Sequence, residues 1–135
     1  MTGESDLRVL LSGLRPELHP GRYVFATVPG GAVPEGTAPV VTVHESEGLT
    51  LVLPQEQAEA AGLAHFFPAG WITLRVHSAL DAVGLTAAVS LALTDVGISC
   101  NVVAGFHHDH LFVPHDRAAD AVAVLETLAA ESRIG

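Results

Sequence analysis

The stretch Leu51-Val52-Leu53-Pro54-Gln55-Glu56-Gln57-Ala58 is echoed sixty positions later by Leu111-Phe112-Val113-Pro114-His115-Asp116-Arg117-Ala118. Each copy reads as an apolar strand, a proline that stops it, and a polar segment running to alanine that starts a helix. Proline lacks the N–H that a strand ladder uses but is tolerated at the first turn of a helix, so strand–Pro–helix is one physical statement made twice. An internal repeat constrains the whole fold. Here it predicts two related α+β units in 135 residues. Units of about 65 residues bury a low fraction of their surface, so the two should share a core. A pair of units also has a seam, a natural place to hold a small ligand.

Outward from the second copy, Trp71 to His77 alternates, with Ile72, Leu74 and Val76 on one face and Thr73, Arg75 and His77 on the other. This predicts a half-buried strand. Ser78-Ala79-Leu80-Asp81 fits a capping box. A long helix should follow, with Leu85, Ala88, Val89, Ala92 and Val96 on its apolar face, Thr86, Ser90 and Thr94 opposite, and Gly97 as its stop. Ile98 to Ala104 and His110 to Val113 read as strands joined through Gly105-Phe106-His107-His108-Asp109. A last helix from Asp116 to Ala130 turns Ala118, Ala121, Val124, Leu125 and Leu128 inward. The order β-α-β-β-α lacks one strand of the split βαβ, or ferredoxin-like, pattern. A strand from the first half must supply it, so the halves should interleave.

The first half carries a short helix over Leu7 to Leu14, a turn-rich connector Arg15-Pro16-Glu17-Leu18-His19-Pro20-Gly21, and a strand from Arg22 to Val28. Pro29 to Pro39 reads as a loop where the second half has its helix. Val40 to Glu45 and Leu49 to Leu53 form a hairpin. A helix from Gln55 to Ala61 follows, closed by Gly62. The expected division is residues 1–68, an incomplete half with a leading helix, and 69–135, a fuller copy.

Hydrophobic residues make up 49% of the chain, enough to fill a core. No apolar run approaches the roughly 20 residues of a membrane helix, and Met1-Thr2-Gly3-Glu4-Ser5-Asp6 lacks the basic flank of a signal peptide. One cysteine, Cys100, cannot form an internal disulfide. These features point to the cytoplasm. Six Lys and Arg against fifteen Asp and Glu, a formal charge of -9, repel phosphate backbones and argue against nucleic acid.

Gly84-Leu85-Thr86-Ala87-Ala88-Val89, Leu91-Ala92-Leu93 and Val96-Gly97-Ile98-Ser99 resemble the passage from helix to second strand of an ACT domain. Asp81, Gly84, Leu85, Gly97 and Ile98 stand at the matching positions. Val102-Val103-Ala104-Gly105 and Asp109-His110-Leu111-Phe112-Val113 resemble the family's second hairpin. The likeness covers about residues 70 to 130. With Leu18-His19-Pro20-Gly21-Arg22-Tyr23-Val24-Phe25, the whole chain is similar to small bacterial proteins of two fused ACT-like halves. Where the family often has proline before the helix-opening glycine, this chain has Val83.

The resemblance implies tandem ferredoxin-like (βαββαβ) units, antiparallel sheets with helices on one face, in a regulatory and non-enzymatic protein. It implies an amino-acid ligand at the interface of paired units and association as a homodimer. It places ligand-binding residues at Ser78, Asp81, Val83, Gly84 and Leu85, in the first strand–helix loop, and at Ser99 and Asn101 on the second strand. It implies no cofactor. Free N–H groups at a helix start suit a carboxylate, Gly84 would let a ligand approach the backbone, and the Asn101 amide offers both donor and acceptor. The plainer account is that Ser78 and Asp81 cap the helix and Gly84 eases packing.

Two other readings stand beside this one. The chain could be an interaction module whose sheet edges pair with a second copy, with no ligand. His107, His108, His110 and His115, with Asp109, could hold a metal, although neighbouring side chains on a strand splay to opposite faces. His77, Ser78 and Asp81 make a poor hydrolytic triad for the same reason, and there is no Gly-x-Ser-x-Gly elbow. Cys100 alternates with Ile98 and Val102 and reads as core.

Overall fold

The computed structural model describes residues 6–76, 78 and 80–134, so His77 and Ala79 lie outside the described residues. The chain divides into two compact units, one of residues 21–69 and one of residues 1–20 and 70–135.

In the unit of residues 21–69, β2 (Tyr23–Val28), β3 (Val41–Glu45), β4 (Gly48–Pro54) and the opening of β5 (Phe66–Leu74) lie in the order β3-β4-β2-β5. β2 pairs antiparallel with both β4 and β5. Numbering its strands from the first gives 4-1-3-2, the ferredoxin-like order. The connection from β2 to β3 carries no helix. α2 (Gln55–Ala60) closes as its sequence predicts, with Gly62 at φ 69° and Leu63 N–H donating back to the Ala58 carbonyl at 2.9 Å. Alternate strand residues Val24, Ala26, Val28, Leu49, Leu51 and Leu53 close over Ala58 in one buried cluster. β5 begins ahead of Trp71, where the alternation predicts it. Phe67, at φ 59°, sits where the register with β2 shifts, so a bulge carries the strand through the Phe-Phe-Pro sequence.

In the other unit, β1 (Pro16–Leu18) pairs antiparallel with β5 in the register Pro16↔Leu74, Glu17↔Thr73 and Leu18↔Ile72. Backbone bonds from His19 N–H to the Trp71 carbonyl (2.9 Å) and from Arg75 N–H to the Arg15 carbonyl (2.8 Å) extend the ladder. With β6 (Asn101–Ala104) and β7 (Asp109–Pro114), the order is β1-β5-β7-β6. This is 4-1-3-2 again, with β5 as first strand and β1 as fourth. The missing strand is therefore supplied by the first half, and the halves interleave. β1 falls in the segment whose prolines predict a connector. It forms because an edge strand tolerates proline, and Pro16 is its first residue.

Three helices cover one face of this sheet: α1 (Leu7–Ser12), α3 (Leu85–Asp95) and α4 (Ala118–Ile134). Their buried residues, among them Leu10, Leu85, Val89, Leu93, Ala121 and Leu125, join Ile72, Leu74, Leu111 and Val113 in one core. The predicted capping box does not form. α3 starts at Leu85, and its cap is Gly84, left-handed at φ 101° and without a side-chain bond. Leu93 takes the inward place expected of Val96, which ends the helix and is 45% exposed. Pro54 (φ -55°, ψ 136°) and Pro114 (φ -52°, ψ 132°) have nearly the same backbone, so the echoed segments repeat in shape as well as in sequence. No helix among the described residues is long and apolar enough to cross a membrane.

Candidate functional site

The loop before α3 and the β6–β7 turn meet around a pocket of about 100 Å³. Ser78, Leu80, Ala82, Leu85 and Thr86 line it from the loop and the helix start; Ala104, Gly105, His107 and Asp109 line it from the strands. At about 30 Å³ per liquid water, this is room for a small polar molecule. Because Gly84 brings no side chain to the helix start, the first-turn N–H groups lack a side-chain cap. They give that end of the pocket a positive character. Asp109 supplies the opposite sign. Burial raises its carboxyl above the usual value, against the opposing pull of His110 and His108.

Of the residues the sequence singles out, Ser78 and Leu85 line this pocket. Asp81 is exposed, and Val83, at 83% exposure, points to solvent. The open side of Gly84 faces α1: a Cβ there would lie 3.1 Å from Leu7 Cδ2. Ser99 and Asn101 are exposed, the latter opposite Phe112 in the β6–β7 pairing. The other wall residues lie outside that set, and of these His107 and Asp109 are marked by the sequence only as candidates for a metal. A hairpin closure was visible in the sequence, but nothing local shows which helix end it faces. Gly105 is fixed by close approach, since a Cβ would come within 2.8 Å of the His108 carbonyl oxygen and 3.2 Å of His110 Nε2.

A polar network occupies the face of the same sheet opposite α1, α3 and α4. Trp71 and Thr73 alternate with the core residues Ile72 and Leu74; His110 and Phe112 alternate with Leu111 and Val113. The Trp71 indole N–H donates to His110 Nδ1 at 3.1 Å. The Thr73 hydroxyl lies 3.0 Å from the same nitrogen and 2.7 Å from His19 Nε2. The His19 ring stacks on Trp71, with centroids 3.6 Å apart and planes at 15°. Beside them Arg75 Nε donates to Glu17 Oε1 at 2.9 Å, and this bond holds the Glu17 carboxyl below its usual value. Burial lowers both His19 and His110. Thr73 and His110 have the composition of a nucleophile and base, but Thr73 is 1% exposed, so a substrate cannot reach its hydroxyl.

Among the described residues no group of three His, Cys, Asp or Glu side chains converges as a metal would require. The His107–His115 cluster splits: His107 lines the pocket, His110 turns to Trp71 and Thr73, and His115 begins the turn before α4. Cys100 is free and half-buried, its thiol pushed up to about 11 by burial, which makes it a poor nucleophile.

ACT domain family models match residues 2–70 and residues 67–127. Among solved structures, the chain is similar to a Vibrio cholerae protein of unknown function described as a possible transport protein. The two share 47% identity at a TM-score of 0.83, over 91% of this chain and 95% of that one. It is also similar to an Agrobacterium tumefaciens protein at 21% identity and a TM-score of 0.72, over 86% of this chain and 89% of that one. The regulatory subunit of aspartate kinase from Thermus flavus shares the fold at 10% identity and a TM-score of 0.64, over 84% of this chain and 96% of that one. No curated protein sequence matches the chain.

Proposed function

We propose that this chain, which belongs to the ACT domain family, is a non-enzymatic regulatory protein that binds a small amino acid or a similar zwitterion. The observation that carries this reading is the pocket bounded by the uncapped start of α3 and by Asp109. An amino acid carries a carboxylate and an ammonium a few ångströms apart. The first suits backbone N–H groups at a helix start; the second suits a half-buried carboxylate. Ser78 and Thr86 add hydroxyls that can serve either end. Asp81, Val83 and Gly84 shape the loop that carries Ser78 and Leu85, and Ser99 and Asn101 lie on the strand side of the fold. Regulation follows from differential affinity: a ligand that bridges loop and hairpin favours the arrangement in which the two are close. The lone cysteine suits a cytoplasmic setting.

The test is thermal melting of the ligand-free protein against a panel of amino acids, with matched carboxylic acids and amines. Binding to the native state must raise stability. A zwitterion should do so where neither half-ligand does, and a panel without any shift would count against the reading.

A second reading is favoured by the place of β6 at an edge of its sheet. An edge strand presents unpaired backbone groups and is a template for another chain. The protein would then act through homodimerisation, with or without a ligand. Sedimentation that stays monomeric across a wide concentration range would remove it.

A further inference from the structure

We infer that Trp71, Thr73, His19 and His110 form a pH-sensitive clasp joining the end of β1 to β5 and β7 on the sheet face opposite α1, α3 and α4, opened at Trp71 by proton uptake at His110 Nδ1. An indole N–H can only donate. His110 Nδ1 receives it at 3.1 Å, so this nitrogen is bare and the neutral ring carries its proton on Nε2. The Thr73 hydroxyl lies 3.0 Å from the same nitrogen and 2.7 Å from His19 Nε2, and where it accepts from His19 Nε2–H its own hydrogen shares the Nδ1 lone pair with the indole. The Trp71 link has one direction. A proton on Nδ1 would set N–H against N–H at Trp71 and break that bond, and the Thr73 hydroxyl would have to turn a lone pair toward His110 and give up its own donation.

The charged and titratable groups around His110 agree with this. They are Arg75, just past β5, Glu17 on β1 with His19 just past it, and His108 and Asp109, which precede His110 in its own turn and strand. β6 presents Val103 directly opposite. Asp109 favours a protonated ring. Burial, then His108, His19 and Arg75, oppose it. Since the folded state prefers the neutral ring, the clasp contributes its full stability above the unfolded histidine value and loses it as pH falls through the lower folded value. Opening frees the hairpin end, because His110 follows Asp109 and its Nε2 faces Gly105, both of which wall the pocket. The consequence that ligand binding weakens in mild acid rests on the proposed function; the clasp itself does not.

The experiment therefore uses the full chain without ligand. Trp71 is the only tryptophan, so its fluorescence reports from inside the clasp. A titration from about pH 8 to about pH 5, with far-UV circular dichroism alongside, covers the histidine range. The expected result is one fluorescence transition below 6.5, the ordinary histidine value, with the dichroism unchanged. His110→Asn, whose amide oxygen can take the place of Nδ1, should abolish it. His19→Gln, whose amide nitrogen can take the place of Nε2, should keep it. The inference is overturned if the transition is absent, survives in His110→Asn, disappears in His19→Gln, or coincides with loss of helix signal. A measurement independent of any variant is the ¹⁵N spectrum of the His110 ring at neutral pH. Protonated Nε2 supports the clasp, and protonated Nδ1 overturns it.

Discussion

Gly70 lies so close to Ala118 that a Cβ on the glycine would fall 2.6 Å from the alanine Cβ. This contact seats the start of α4 on β5 at van der Waals distance, and it requires a small residue on each of the two elements. Gly70→Ala should therefore lower stability by about 1–3 kcal/mol through overpacking, and Gly70→Val by more. Urea denaturation followed by fluorescence measures both.

Leu14 tests the interleaving. Sequence order counts it with the first half, yet it is buried in the core formed with Ile72, Val89 and Leu125. Leu14→Ala should cost about 2–5 kcal/mol. In hydrogen exchange, the loss of protection should concentrate in residues 70–135. Loss confined to residues 21–69 would contradict the arrangement described.

The ferredoxin-like pattern was legible because its signals are local. Alternation at Trp71–Leu74, the strand–Pro–helix echo and the glycine stop at Gly62 each fix the backbone within a few residues. β1 was hidden because its sequence carries turn chemistry, and only its edge position opposite β5 makes Pro16 acceptable. The capping box at Ser78–Asp81 misled because an equally good helix start, with a left-handed glycine as cap, lies at Gly84. Of the residues that the sequence singles out as ligand-binding, Ser78 and Leu85 line the pocket. Gly105 and Asp109 were not marked as such, because their facing the helix start is a long-range fact of the fold.

Thr73 is a buried hydroxyl between two imidazoles. Thr73→Val keeps the β-branched shape and removes the bridge, so His19 Nε2 loses its bond to the hydroxyl while His110 Nδ1 keeps the Trp71 N–H. The cost should be about 1–3 kcal/mol, the range for an orphaned buried polar group. Denaturation at neutral pH reads it directly. A neutral result would mean that water restores the bond to His19.

Asp109 has the opposite sign of pH dependence from the histidines. Its folded carboxyl is raised above 3.8, chiefly by burial. The native state thus binds a proton more readily than the unfolded chain, and the ionised carboxylate is a destabilising group at neutral pH that is relieved on acidification. Asp109→Asn should melt higher than the wild type at pH 7. The difference should close as pH falls through the carboxylate range, as paired melting curves would show.

The pocket between the start of α3 and Asp109 is proposed to bind a small zwitterion. Calorimetric titration of the ligand-free chain with a panel of amino acids tests it most directly, with Asp109→Asn in parallel. One site per chain is expected for at least one small amino acid. Binding to Asp109→Asn should be weaker by about tenfold or more, since a hydrogen bond to a charged group is worth about 1.5–3 kcal/mol. No heat of binding to the wild type at millimolar concentration, or equal affinity in the variant, would contradict it.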